Sequence, residues 1–259
     1  MTPLQRALIE KAGYDHGFER VLPDINAAVH LGSARHPARV TVSLLPQGYA
    51  VTLVQGPPTL EPELARSFAH GLQPATAFLA ATELDLAQWL RRAAALAQSL
   101  PNQAVLDFDT QVQQALAELP PTETLSTEVQ RLVRQRVGQE CYRQAMLSYW
   151  GGACAVTGLT MASVLRASHA KPWAQCSTDA ERLDVFNGLL LSANLDALFD
   201  KFLISFDTQG AILISAAIPE NDQVLMGLSP ELSLRWLAPE HQPYLEFHRH
   251  QFQNRPDCT

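Results

Sequence analysis

Leu4, Ala7 and Leu8 recur at the spacing of a short helix over residues 3–12, with Gly13 as its stop. Val40, Val42 and Leu44 then alternate, which predicts strands over Arg39 to Leu45 and Tyr49 to Val54 joined by a Pro46-Gln47-Gly48 turn. Thr82, with Asp85 three residues on, resembles a capping box ahead of an Ala/Leu-rich helical stretch to Leu100, and helices dominate to about Leu119. The segment Pro120-Pro121-Thr122-Glu123-Thr124 is polar and lacks two backbone donors, so a linker is expected at 120–125. From Ser126 a long helical period runs through Val129, Leu132, Val133, Val137, Cys141, Met146 and Leu147 until Gly151-Gly152 breaks it. Beyond the break, Ala153 to Val156 and Val164 to His169 read as strands. Asn187 opens a helical period through Leu190, Leu195 and Phe199, and Phe202 to Phe206 and Ala211 to Ser215 read as short strands.

Composition narrows the class. Apolar residues make up 47% of the 259, enough to bury a core without disulfide or metal staples, and charged residues only 17%, which excludes a coiled-coil rod. The formal charge of −7 argues against coating nucleic acid through bulk positive charge. The charge is uneven, however: residues 1–128 carry 8 basic and 13 acidic side chains, whereas 129–175 carry 6 basic and 1 acidic. One anion-facing surface is therefore expected within the second stretch. Cys141, Cys154, Cys176 and Cys258 form no C-x-x-C pair, and no window reaches 18 apolar residues. A cytoplasmic protein with ordinary thiols and no membrane contact is the expectation.

The residues able to carry chemistry lie in the second half. His169 is expected at a strand end, and histidine suits a general base because its ordinary pKa lies near neutrality. Asp196 and Asp200 stand four apart, so both carboxylates fall on one helix face and could hold a hard divalent ion. The amide of Asn187 could fix the imidazole's orientation and tautomer. The long helix presents Arg131, Arg134, Arg136 and Arg143, which either contact phosphate or form a solvated face. Arg166 could clamp a phosphate bidentately or pair with Asp184 or Glu181, and Lys171 could meet phosphate as a point charge or stand exposed. Trp173 reads as a loop anchor, and Cys154 and Trp150 as packing residues.

Several segments in order resemble the HNH endonucleases over about 133–215. They are Arg136-Val137-Gly138-Gln139, Cys141-Tyr142-Arg143, Tyr149-Trp150-Gly151-Gly152-Ala153-Cys154-Ala155-Val156-Thr157-Gly158, Leu165-Arg166-Ala167-Ser168-His169-Ala170-Lys171-Pro172-Trp173, Phe186-Asn187-Gly188-Leu189-Leu190-Leu191 and Leu195-Asp196-Ala197-Leu198-Phe199-Asp200. The likeness is to the branch with serine before the first histidine and aspartates late in the motif. It implies a ββα-metal core that cuts DNA with one divalent ion (Mg, Mn, Ni or Zn). His169 matches the base and Asn187 its positioning residue, with Asp196, Asp200 and Ser168 at the metal and Arg166, Lys171, Arg136 and Arg143 at the DNA. Many relatives carry His where this chain has Asn194, which is a poorer ligand for a borderline metal. A catalytically inactive DNA-binding or regulatory protein is accordingly the alternative.

The expected fold class is α+β: an N-terminal mixed domain over 1–119, then a nuclease domain over 126–259 with a C-terminal extension. Residues 1–119 also look like the region often joined to this branch, through Lys11-Ala12-Gly13-Tyr14-Asp15-His16-Gly17-Phe18-Glu19. Recognition of a DNA feature such as a modified base, motivated by Arg35-His36-Pro37-Ala38-Arg39, stands beside protein contacts as its role. The resemblance suggests a bacterial restriction or phage-defence setting, with DNA as partner and a homodimer compatible with the pattern.

Overall fold

Thr2 starts the chain's first helix by a reciprocal cap: its backbone N–H donates to Gln5 Oε1 at 2.8 Å, and its hydroxyl accepts from the Gln5 N–H at 3.3 Å. That helix, α1 (Pro3–Asp15), runs past Gly13. Gly13 is a contact point instead of a stop, because a Cβ there would lie 2.8 Å from Leu31 Cδ1. The computed structural model describes residues 1–23, 28–68, 77–101, 103–119 and 127–255. They form a mixed α+β protein with antiparallel sheets, and the chain divides into two compact units, Met1–Gln103 and Ala104–Thr259. The expected linker at 120–125 and Cys258 lie outside the described residues. Among the described residues no helix is long and apolar enough to cross a membrane.

The first unit holds a sheet in sequential order: β1 (Arg20–Leu22), β2 (Val29–Gly32), β3 (Arg39–Leu45), β4 (Gly48–Gln55) and β5 (Ala77–Ala80). β3 and β4 pair from Leu45 opposite Gly48 outward, so the alternating Val40 and Val42 bury one face. Helix α2 (Leu60–Ser67) lies between β4 and β5 in sequence, and α3 (Glu83–Ser99) follows β5. Thr82 and Asp85 form the capping box of α3, which buries Leu86, Trp89, Leu90, Ala93 and Ala97. In the Arg35 to Arg39 run, His36 and Ala38 are buried and only the two arginines and Pro37 face outward.

Helix α4 (Gln103–Ala117) starts at the last residue of the first unit and otherwise belongs to the second, followed by α5 (Thr127–Tyr149), whose buried Gly138, Cys141, Tyr142, Ala145, Met146 and Tyr149 recur at helical spacing. Then come β6 (Leu165–His169), α6 (Asp179–Leu183), β7 (Gly188–Ser192), α7 (Ala193–Asp200), β8 (Ile204–Phe206), β9 (Ile212–Ile214), α8 (Glu220–Leu225) and α9 (Gln242–Gln253). Two readings from the sequence change here. Residues 153–156 form no strand but an irregular segment turning at 155–156, docked by the Ala155 N–H on the Leu190 carbonyl at 2.6 Å. The helix expected from Asn187 begins only at Ala193, and 188–192 is a strand buried at all five positions. A short, continuous apolar run has no period to separate strand from helix, and the partner that decides it, β6, lies some twenty residues away.

Candidate active site

β6 pairs antiparallel with β7, placing His169 opposite Gly188 and Ser168 opposite Leu189. Successive strand residues face opposite ways, so Ser168 and His169 serve different neighbours. Ser168, itself buried, donates its hydroxyl to Asp196 Oδ1 of α7 at 2.5 Å. His169 stacks on the fully buried Tyr142 of α5, with ring centroids 3.9 Å apart and an interplanar angle of 20°, and meets the edge of Trp173 at 5.8 Å. The imidazole Nε2 lies 2.8 Å from the Arg182 carbonyl oxygen. A carbonyl only accepts, so Nε2 carries the proton and Nδ1 is left as the proton acceptor. Burial pushes His169 down to about 4, with the Arg182 carbonyl pulling the other way, so the ring is neutral at pH 7.

Asn187 is wholly buried, and its amide acts on the backbone between the two strands rather than on the imidazole. Oδ1 accepts from the Lys171 N–H at 2.9 Å, while Nδ2 donates to the carbonyls of Glu181 (3.0 Å) and Lys171 (3.3 Å) and to Cys176 Sγ. Its own carbonyl accepts from the Tyr142 hydroxyl at 3.1 Å and from the Ala170 N–H. Asn187 thereby shapes the loop whose Arg182 carbonyl holds His169. The Arg182 guanidinium reinforces the same loop, donating to Asp179, to the Cys176 carbonyl at 2.6 Å and to the Trp173 carbonyl.

A cavity of about 440 Å³ opens at the end of β6, lined among others by Ser168, His169, Trp173, Asp200, Phe202 and His248. His248 of α9 is structural: its Nε2 donates to the Phe199 carbonyl, its Nδ1 meets the Ser205 hydroxyl, and burial pushes it down to about 4. Asp196 joins the cavity group through Ser168. Desolvation first, and the charge of Asp196 second, raise the Asp200 carboxyl above its ordinary value. Among the described residues no group of three His, Cys, Asp or Glu side chains could hold a metal by itself. Two carboxylates and a hydroxyl are hard oxygen donors, and they fit a Mg²⁺-like ion that retains several waters better than a closed zinc cage.

The basic residues divide. Lys171 Nζ pairs with Glu181 Oε1 at 2.5 Å, and Arg143 donates to the carbonyls of Leu165 (2.8 Å) and Ala162 (2.9 Å). Arg166 is exposed and donates to the carbonyls of Ser163 and Leu165, meeting neither Asp184 nor Glu181, and Arg136 is exposed. Asn194 is turned away from the cavity: its amide oxygen accepts from the Ser192 hydroxyl and its nitrogen donates to the Met226 carbonyl at 2.9 Å. Trp173 anchors its loop on Gly138, where a Cβ would come within 2.5 Å of the indole. Trp150 and Cys154 are buried, Trp150 stacking on Trp236 at 4.4 Å.

Sequence reading missed the Arg182 carbonyl, Tyr142 as the imidazole's floor, and Phe202. A backbone carbonyl carries no residue-type signal, and Tyr142 meets His169 only through the fold. No curated protein matches the chain. The family model of the HNH endonuclease domain matches residues 154–207, a span containing Ser168, His169, Asn187, Asp196 and Asp200.

Proposed function

We propose that the protein is a metal-dependent DNA endonuclease. The observation that carries this reading is His169 at the strand end, its Nε2 proton committed to the Arg182 carbonyl and its Nδ1 left unprotonated, in one cavity with Ser168 and Asp200. His169 takes the proton from the attacking water as the phosphodiester opens. Asn187 and Arg182 hold the loop that fixes this tautomer, and Tyr142 fixes the plane of the ring. Asp200, with Asp196 and Ser168 beside it, would hold the divalent ion, which supplies stabilisation of charge on the phosphate and on the leaving 3′ oxygen. Of the four cations read at the DNA, Arg166 and Arg136 remain exposed to steady phosphate, since Lys171 is neutralised and Arg143 is built into the lead to β6. Restriction or phage defence is the setting we favour, on the resemblance to the HNH branch.

The inactive alternative drew on Asn194, whose side chain is engaged with Ser192 and Met226 and so lends the site no ligand, which leaves the metal to Asp200, Asp196 and Ser168. The test is cleavage of plasmid and phage-modified DNA with Mg²⁺, Mn²⁺, Ni²⁺ or Zn²⁺, beside His169→Ala. Cutting that depends on a divalent ion and falls about 10²-fold or more in the variant is expected. Cutting at an equal rate by the variant, or none by the wild type, would overturn the reading.

A further inference from the structure

Among the described residues Phe202 is the one non-glycine with a positive φ, 53°. It stands just past α7 in a Schellman turn: its N–H donates to the Phe199 carbonyl at 2.9 Å, and the N–H of Leu203 to the Leu198 carbonyl at 2.8 Å. Glycine usually fills this left-handed position because a side chain crowds the backbone there. Elsewhere the described chain follows that rule, with glycine at each of the other positive-φ positions, 17, 48, 151, 152, 158, 210 and 227. Burial gives no reason for the exception, since Phe202 is only half-buried, with its ring 4.8 Å from His248. Strained side chains of this kind collect at functional sites. Phe202 lines the same cavity as His169 and Asp200, and Trp173 is a second aromatic on that wall. The cavity volume of about 440 Å³ lies in the range of small-ligand sites.

The surrounding charges bear on what could enter. The cavity lining holds a single lysine, Lys201, beside Asp200, and Lys171 next to the motif is paired with Glu181, so the cavity itself is not a strongly basic track for duplex phosphates. Aromatic faces bind bases that are already unstacked, and they do so with little regard to sequence. A base within a duplex offers no free face without extrusion.

We propose that Phe202 is the specificity residue of this site, a stacking platform for an unpaired base beside the scissile phosphate, and that single-stranded DNA is the preferred substrate. The inference rests on the nuclease reading. Its test uses the full chain carrying His169→Ala, with Mg²⁺ present, and measures binding of a fluorescein-labelled oligonucleotide by anisotropy, single-stranded and as the same sequence in duplex. Adding Phe202→Gly is expected to weaken single-strand binding about 5- to 150-fold, the range for loss of one base–aromatic stack. Duplex binding is expected to change less than about twofold, Phe202→Tyr to retain binding, and thermal stability not to fall, because glycine suits the left-handed position. Unchanged single-strand binding, equal loss on both DNA forms, loss accompanied by a lower melting temperature, or no binding by the parent chain would each overturn the inference. Cleavage by the chain with His169 intact is scored separately: stacking-dependent binding without any cutting would sink the nuclease reading alone.

Discussion

At Gly188 the site leaves no room for a single carbon. A Cβ there would lie 2.1 Å from both the Ser168 carbonyl oxygen and the Tyr142 hydroxyl. Neither neighbour yields cheaply, since one is backbone of the paired strand and the other is the buried ring that supports His169. Gly188→Ala is therefore expected to cost about 1–3 kcal/mol, as overpacked cores do, and to lower cleavage further by tilting the imidazole. Urea denaturation beside a cutting assay checks it, and a variant of wild-type stability would show that the Tyr142 platform is softer than its contacts indicate. Residue type and spacing, together with the resemblance to the HNH pattern, singled out His169, Asn187, Asp196 and Asp200 in the sequence. It did not reveal that Asn187 works through the backbone of the loop, because an amide has four hydrogen-bonding sites and only the fold decides who takes them.

The elements around the site bring ionisable groups together whose titrations oppose one another. Asp184, between α6 and β7, accepts from the Phe186 N–H at 2.9 Å and from the hydroxyl of Tyr244 in α9 at 3.0 Å. Burial pushes its carboxyl up to about 6, with Glu240 and Glu181 adding like charge. A carboxyl raised above its unfolded value binds its proton more tightly in the native state, so stability is lost as pH rises from about 4 through about 6. His169 and His248, both held near 4 by burial, contribute the reverse, stability gained as pH rises from about 4 to about 6.5. The difference between Asp184→Asn and wild type cancels the imidazoles. It is expected to favour the variant by up to about 3 kcal/mol at pH 8 and to shrink toward zero near pH 4. Denaturation curves that stay parallel across this range would contradict it. The helices α3 and α5 and the β3–β4 hairpin were legible because their periods are long or punctuated by a capping box or a turn. The strand β7 was not, since five buried apolar residues make sense in either conformation until β6 pairs with them.

Across the whole molecule, charge sets how tightly DNA can be held without regard to sequence. The basic stretch at 129–175 was visible in the sequence, but its pairing was not, because the partners come from distant segments. Arg134 meets Asp179 at 2.7 Å and Asp109 at 3.5 Å, and Lys171 meets Glu181. Arg143 spends its donors on the carbonyls of Ala162 and Leu165. Arg131, Arg136 and Arg166 remain on the exposed surface, in a chain whose formal charge is −7. Each phosphate neutralised on a single strand adds about −0.7 to the slope of log K against log salt, so these three exposed arginines, none held in an ion pair among the described residues, predict a slope near −2. Arg136→Gln or Arg166→Gln should each make it shallower by about 0.7 while leaving the preference for unpaired bases intact, since phosphate contacts carry no base information. Titrating His169→Ala with oligonucleotide at several salt concentrations measures this. A slope of about −5 or steeper would mean that the paired cations open their ion pairs on binding, and that the second unit grips DNA through a much wider surface than the cavity rim.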